Sequence, residues 1–172
     1  RKWRMLLDAF PFPDGNGACA QVRGVVAHPR ERDTVLVAVG DGRHSVSGVY
    51  LSEDGGVTFR KTLDVPFYGN EPMRVAGATL VGAGDGSERA YACPPFVGPQ
   101  VSDDFGRTWR SLGLNNVYIR DCVLDWSDPR CLWLIGERRE KCVGGLYCTQ
   151  DGGETWNRLA TDDVPLEMVQ DP

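Results

Sequence analysis

An eight-residue pattern occurs three times in this chain, and it constrains the fold more than any other feature. The three copies read SEDGGVTF (52–59), SDDFGRTW (102–109) and TQDGGETW (149–156). Successive copies lie about 50 residues apart, a period that indicates a repeat architecture. β-Propellers, which use about 40–50 residues for each blade, fit this period best.

Each copy places the same residue types at four positions, and each type has a structural role that needs no ligand. The aspartate can accept hydrogen bonds from its own turn, and the glycine permits positive φ. The threonine enters the next strand, and the aromatic residue packs against the sheet. These residues are Asp54, Gly56, Thr58 and Phe59; Asp104, Gly106, Thr108 and Trp109; and Asp151, Gly153, Thr155 and Trp156. We expect them to close the same hairpin three times.

Short strand patterns separated by Gly- and Pro-marked turns surround each copy. In the first repeat, segments 22–29, 34–42, 47–52 and 57–62 predict four strands. The prediction is an all-β propeller of four-stranded antiparallel blades, in one domain over 1–172 with repeats at roughly 18–66, 67–115 and 116–162. Closed propellers usually have 4–8 blades. We therefore expect part of a larger propeller, whose remaining blades lie in the same or another chain.

Composition disfavours several classes of partner. The net charge is −5, and no Lys/Arg run is interleaved with aromatic residues, which argues against nucleic acid and anionic membrane surfaces. No apolar stretch approaches the roughly 18 residues of a membrane-spanning helix. The chain begins at Arg1 without a signal-peptide pattern, and we expect it to be a processed or excised piece.

The six cysteines favour disulfides over a metal site. They form no Cys-x-x-Cys pair, and the two histidines lie far from them in sequence, so we predict neither a metal nor a cofactor. Four of them, Cys122, Cys131, Cys142 and Cys148, could bond across neighbouring strands, with buried free thiols as the alternative. Disulfides would imply an oxidising compartment.

The repeated turns resemble Asp boxes, the S/T-x-D-x-G-x-T-W/F motif of sialidases, Vps10-type sorting receptors and other propeller families. A narrower resemblance, over roughly residues 1–160, is to glycoside hydrolase family 74. It is carried by KWRMLLDAF (2–10), VVAHPRERDTVLVAVGDG (25–42) and GVYLSEDGGVTFRKTLDVPFYGNEPMR (48–74), where Pro-Phe, Gly-Asn and Arg follow a box. His28 departs from the family, which usually has Asp before this Pro, and this departure favours altered specificity or lost activity.

This resemblance implies a secreted carbohydrate-active enzyme that hydrolyses a β-glucan such as xyloglucan with inversion. The two catalytic aspartates of the family would fall before Arg1 and after Pro172, so no catalytic residue is assigned in this chain. A non-catalytic propeller that binds a protein or peptide, as sorting receptors and assembly factors do, is one alternative. A sialidase-like enzyme is another, although its arginine cluster and Tyr/Glu pair are not identifiable here.

The segment FYGNEPMR (67–74) is the predicted contact for an oligosaccharide or polysaccharide. It combines an aromatic ring with amide, carboxylate and guanidinium groups, which suit sugar faces and hydroxyls. These side chains belong to Tyr68, Asn70, Glu71 and Arg74. The alternative is an ordinary blade-connecting loop in which Arg74 pairs with a nearby carboxylate.

Overall fold

Twelve β-strands and no helix make up the part of the chain that the computed structural model describes. That part comprises residues 21–40, 47–65, 79–83, 86–125, 127–137 and 144–160. Four consecutive strands form each of three antiparallel sheets. The prediction of an all-β fold with four-stranded antiparallel blades is confirmed.

The strands follow one another in chain order within each sheet. The first sheet contains β1 (Gln21–Ala27), β2 (Val35–Gly40), β3 (Gly48–Ser52) and β4 (Arg60–Asp64). The second contains β5 (Thr79–Gly82), β6 (Ala90–Cys93), β7 (Gln100–Ser102) and β8 (Arg110–Ser111). The third contains β9 (Tyr118–Leu124), β10 (Leu132–Glu137), β11 (Gly145–Thr149) and β12 (Asn157–Ala160).

The middle strands of the first sheet are apolar on both faces because both faces are buried. Leu36 and Ala38 of β2 pack towards the second sheet, whereas Val37 and Val39, which alternate with them, belong to a separate buried cluster. Such double burial explains the nearly continuous apolar sequence VLVAVG, where a half-exposed strand would alternate with polar residues.

The three sheets stack face to face in sequence order. One buried cluster joins side chains of β2 and β3 to Ala90, Ala92 and Phe105 of the second repeat. Another joins Tyr91 and Cys93 of β6 to side chains of β9, β10 and β11. The first strands of successive sheets are also in contact, β1 with β5 and β5 with β9. This is the arrangement of propeller blades around a common axis.

The fourth strand of the first sheet begins later than the sequence pattern predicts. The predicted strand 57–62 is observed as 60–64, because residues up to Thr58 are held in the Asp-box turn by hydrogen bonds to Asp54. Each strand of the second sheet is shorter than its counterparts in the other two sheets, and β8 has only two residues.

Antiparallel strand order gives each sheet two distinct ends. In the first sheet, the turn between β1 and β2 and the Asp-box turn between β3 and β4 lie at one end. We call this the box end. At the opposite end β2 and β4 terminate and β3 begins, and we call it the far end. The other two sheets repeat this order.

Candidate functional site

Each Asp-box turn is closed by a hydroxyl at its first position, a residue to which the sequence analysis gave no role. Ser52 Oγ donates to Asp54 Oδ1 (2.9 Å) and accepts from the Gly56 N–H (2.8 Å). Equivalent contacts, at 2.6–2.9 Å, are made by Ser102 with Asp104 and Gly106 and by Thr149 with Asp151 and Gly153. A serine or threonine at this position was visible in all three sequence copies.

The carboxylate of each box accepts hydrogen bonds from the turn that contains it. Asp54 Oδ1 accepts from the Thr58 N–H (2.9 Å), and Oδ2 accepts from Thr58 Oγ1 (2.6 Å). Asp104 is bound in the same way by Thr108, and Asp151 by Thr155. These carboxylates therefore stabilise their own backbone.

The same contacts favour the ionised form of all three carboxylates. The side-chain and backbone hydrogen bonds of Thr58 lower the pKa of Asp54 to about 2. Burial raises the pKa of Asp104, but the hydrogen bonds of Thr108 outweigh it and the net change is downward. Hydrogen bonds from Thr155 also lower the pKa of Asp151. A general acid needs the opposite shift, so the lowered pKa argues against that role for these residues.

Each box is also tied by its backbone to the neighbouring turn of its own sheet. The Gly55 N–H donates to the Asp33 carbonyl (2.8 Å) in the first sheet. The corresponding bonds are Phe105 to Glu88 (2.7 Å) and Gly152 to Arg130 (3.0 Å). These three bonds connect the two turns at the box end of every sheet.

His28 takes the place of an aspartate in the turn between β1 and β2. Its Nδ1 accepts from the backbone N–H groups two and three residues later (3.1 and 2.9 Å). In the third sheet, Asp125 Oδ1 accepts from the same two positions (2.7 and 3.3 Å). Imidazole and carboxylate thus serve the same turn, which gives the unusual His28 a structural explanation.

Close approach between sheets at the box end depends on glycine. A Cβ on Gly106 would lie 2.4 Å from Leu36 Cδ2 of the first sheet, and one on Gly153 would lie 2.5 Å from Leu112 Cδ1. The box tryptophans bind the preceding repeat as well. Trp109 Nε1 donates to Thr62 Oγ1 (3.1 Å), and Trp156 Nε1 donates to the Leu112 carbonyl (3.0 Å).

Ion pairs join successive repeats at the same end. Arg107 of the second box contacts Glu53 of the first (2.8 Å) and also Glu31 (3.3 Å). Arg30 contacts Glu88 of the second repeat (2.9 Å). These ion pairs thus hold the first two sheets together at the box end.

The far end carries a different set of groups between the second and third sheets. Phe96, half-buried with a φ of 66°, contacts the ring of Tyr118 edge to face, with centroids 4.6 Å apart. Gly98 lies so close to the Gly113 carbonyl that a Cβ would be 1.9 Å from its oxygen. Sequence reasoning missed this pair of loops, although the run CPPFVGP is typical of a tight turn.

The predicted sugar-contacting residues Tyr68, Asn70, Glu71 and Arg74 lie outside the described residues. They follow β4, which ends at Asp64, and precede β5. Within the described ranges, no group of three or more His, Cys, Asp or Glu residues is placed to hold a metal ion.

The disulfides stay a prediction where they involve Cys142, and none links the three described members of that cysteine group. Cys122, Cys131 and Cys148 are free thiols, and Cys142 lies outside the described residues. Register explains part of this result: Cys122 pairs with Leu134 and Cys148 with Trp133, and adjacent residues of β10 face opposite sides of the sheet. Closeness in sequence therefore did not bring Cys122 and Cys148 together.

Comparison with known proteins gives one motif family and a consistent set of relatives. The BNR/Asp-box repeat family matches residues 100–111 and 147–158. The oligoxyloglucan-reducing end-specific xyloglucanase of Emericella nidulans is 27% identical over 180 residues, covering 99% of this chain. The chain spans only 21% of that relative's length.

Solved structures share the fold at low identity. The GH74 enzyme of Niastella koreensis superimposes with a TM-score of 0.60 at 18% identity, over 83% of this chain and 23% of its own. The GH74 xyloglucanase of Xanthomonas campestris gives 0.57 at 20% identity, over 84% and 24%. YCF48 of Cyanidioschyzon merolae gives 0.54 at 15% identity, over 87% and 39%.

Fold and turn motif together define this chain as part of an Asp-box β-propeller. Within that class its likeness is to glycoside hydrolase family 74, through both the curated xyloglucanase and the solved enzymes. The resemblance read from the sequence is thereby confirmed. In the part of the chain that the structure describes, no helix is long and apolar enough to cross a membrane.

Proposed function

We propose that this chain is a segment of a secreted glycoside hydrolase that acts on xyloglucan or a related β-glucan. The observation that carries the proposal is the match to a xyloglucanase over 99% of the chain. The Asp boxes occupy a small part of that length, so the similarity extends well beyond the motif that catalytic and non-catalytic propellers share.

The segment contributes scaffold and one wall of the sugar cleft. Support for this division comes from the two ends of the sheets. At the box end, carboxylates, ion pairs and tryptophan N–H groups are engaged within and between blades. The strand β4 ends at the far end, and residues 67–74 follow it in the sequence. Loops at one end of a rigid sheet assembly are common sites of binding.

Residues 67–74 supply the sugar contacts in this proposal. The Tyr68 ring stacks on a pyranose face, while Asn70, Glu71 and Arg74 bind hydroxyl groups. Catalysis by inversion needs two carboxyl groups about 6.5–9.5 Å apart, and we place that pair in other blades of the propeller. We assign neither Asp64 nor Asp121 to that pair. Asp64 forms an ion pair with Lys61 at 2.7 Å, and Asp121 Oδ1 accepts from the Cys122 N–H at 2.9 Å.

Hydrolysis of xyloglucan by the complete protein tests this function. We expect new reducing ends from xyloglucan and none from starch, an α-glucan that serves as the control. Proton NMR of the first products should show the α-anomer, because inversion at a β-linkage yields it. A complete protein that cleaves neither xyloglucan nor another β-glucan would contradict the proposal. Binding of a peptide without hydrolysis would favour the non-catalytic alternative, and cleavage of sialosides the sialidase alternative.

A further inference from the structure

Two buried cysteines that are far apart in sequence meet between the second and third sheets. Cys93 ends β6 and Cys122 lies within β9, and their side chains are 1% and 3% exposed. Both belong to the buried cluster that joins these two sheets, and β6 and β9 are in contact. Cys93 is the first cause of the raised pKa of the Cys122 thiol, as expected of neighbouring thiols.

Strand alternation explains why these two thiols face each other. Cys93 lies on the same face of β6 as Tyr91, two residues earlier, and both side chains pack on the third sheet. Cys122 lies on the same face of β9 as Leu124, and this face packs on the second sheet. The two cysteines therefore come from opposite sides of one interface.

We propose that Cys93 and Cys122 form a disulfide that links the second blade to the third when the protein folds under oxidising conditions. Both cysteines are free thiols in the structure, and their shared cluster at the contact of β6 with β9 selects this pair from the described cysteines. Cys148 faces the other side of the third sheet, and Cys131 precedes β10 in the turn at the box end. Cys93 was not among the partners that the sequence suggested for Cys122.

The reaction is a thiol–disulfide exchange with a small disulfide such as oxidised glutathione. One cysteine thiolate attacks the reagent, forms a mixed disulfide and releases one glutathione thiolate. The other cysteine thiolate then attacks the protein sulfur of that mixed disulfide and releases the second glutathione. Two protein thiols are oxidised, one reagent disulfide is reduced, and the protein loses two hydrogens.

Burial directs this exchange to the folding chain. Interaction with the Cys93 thiol, and to a lesser extent burial, raises the pKa of the Cys122 thiol. Little thiolate therefore forms in the closed interface. Both side chains are also almost fully buried, so glutathione cannot reach them in the closed interface. The first exchange therefore takes place before the two sheets close, and the closing interface then brings the second sulfur to the first.

Peptide mapping after oxidative refolding tests the link. Reduced, unfolded complete protein is refolded with oxidised and reduced glutathione, its remaining thiols are alkylated under denaturing conditions, and the non-reduced digest is analysed by mass spectrometry. We expect the peptides of Cys93 and Cys122 to be joined. The same peptide map is also measured on protein that was purified without reductant and never unfolded. This second map tests the link even if the reduced protein does not refold.

Matched alanine variants distinguish this pair from a general tendency to oxidise. C93A and C122A should lose the cross-link, whereas C131A and C148A should retain it. The cross-link closes a loop of about 30 residues, and reduction should lower Tm by about 2–5 °C in the wild type but not in C93A. Recovery of both cysteines as alkylated free thiols, or in disulfides with other cysteines, would overturn the proposal.

Discussion

The side chains of the Asp-box turns show how one residue pattern can be repeated for structure alone. The aspartate and the first-position hydroxyl satisfy backbone N–H groups of their own turn in all three boxes. The role of the aspartate could be predicted from the sequence, because an Asx-type turn is local. The role of His28 could not be predicted in this way. It becomes visible only when the turn of His28 in the first sheet is compared with the turn of Asp125 in the third.

Acid should weaken the fold through the box carboxylates. The pKa of Asp54 falls from its ordinary value of 3.8 to about 2 in the folded state, and those of Asp104 and Asp151 fall as well. A lowered folded pKa adds stability above the unfolded value, and this stability is lost as the pH falls through the folded value. We expect the free energy of unfolding, measured with urea, to decrease from about pH 4 to about pH 2.

Amide variants isolate this contribution. Replacing Asp54, Asp104 and Asp151 together by Asn removes the titrating groups while keeping an acceptor oxygen, so the decrease below pH 4 should become smaller. Asp33→Asn, at an exposed side chain in the adjacent turn, is the control and should retain the wild-type slope. Equal slopes in all three proteins would show that the boxes do not set the acid sensitivity.

At the scale of strands and turns, local patterns located most elements but not their edges. The predicted strands 34–42 and 47–52 contain the observed β2 and β3. The fourth strand of the first sheet was predicted too early, because Val57 and Thr58 belong to the Asp-box turn and bond to Asp54. The short strands of the second sheet were missed, since Gly, Pro and charged residues interrupt any alternation there. These strands pack between the first and third sheets, and that contact cannot be read from their own sequence.

The inter-sheet approach at a box glycine gives a prediction at this scale. Gly106→Ala would force a left-handed φ of 78° on alanine and place its Cβ 2.4 Å from Leu36, which is fully buried. Gly113 has a similar φ of 81°, but a Cβ there meets no other atom within 4 Å. We expect Gly113→Ala to cost about 1 kcal/mol and Gly106→Ala about 2–4 kcal/mol in the free energy of unfolding.

Denaturant unfolding of the two variants separates backbone strain from packing. Both substitutions add the same methyl group at a left-handed position, so the difference between them measures how tightly the first two sheets meet. Equal losses of stability would mean that the Leu36 side chain yields and that the close approach is not required.

At the scale of the whole molecule, the account assigns different tasks to the two ends of the sheets. Repeat spacing was sufficient to predict the propeller, because each blade is local in sequence. Contacts between blades could not be predicted in the same way. The meeting of Cys93 with Cys122 and of Phe96 with Tyr118 depends on how two sheets face each other. The sugar-contact residues 67–74 remain a prediction.

The most direct test of this division is calorimetric titration of a xyloglucan oligosaccharide into the complete protein and its variants. Tyr68→Ala and Arg74→Ala should each weaken binding by about tenfold or more, while Tm moves by less than about 2 °C. Arg32→Ala, an exposed arginine at the box end, should change neither quantity. Unchanged affinity in both loop variants, or weaker binding in Arg32→Ala, would contradict the assignment of the ligand to the far end.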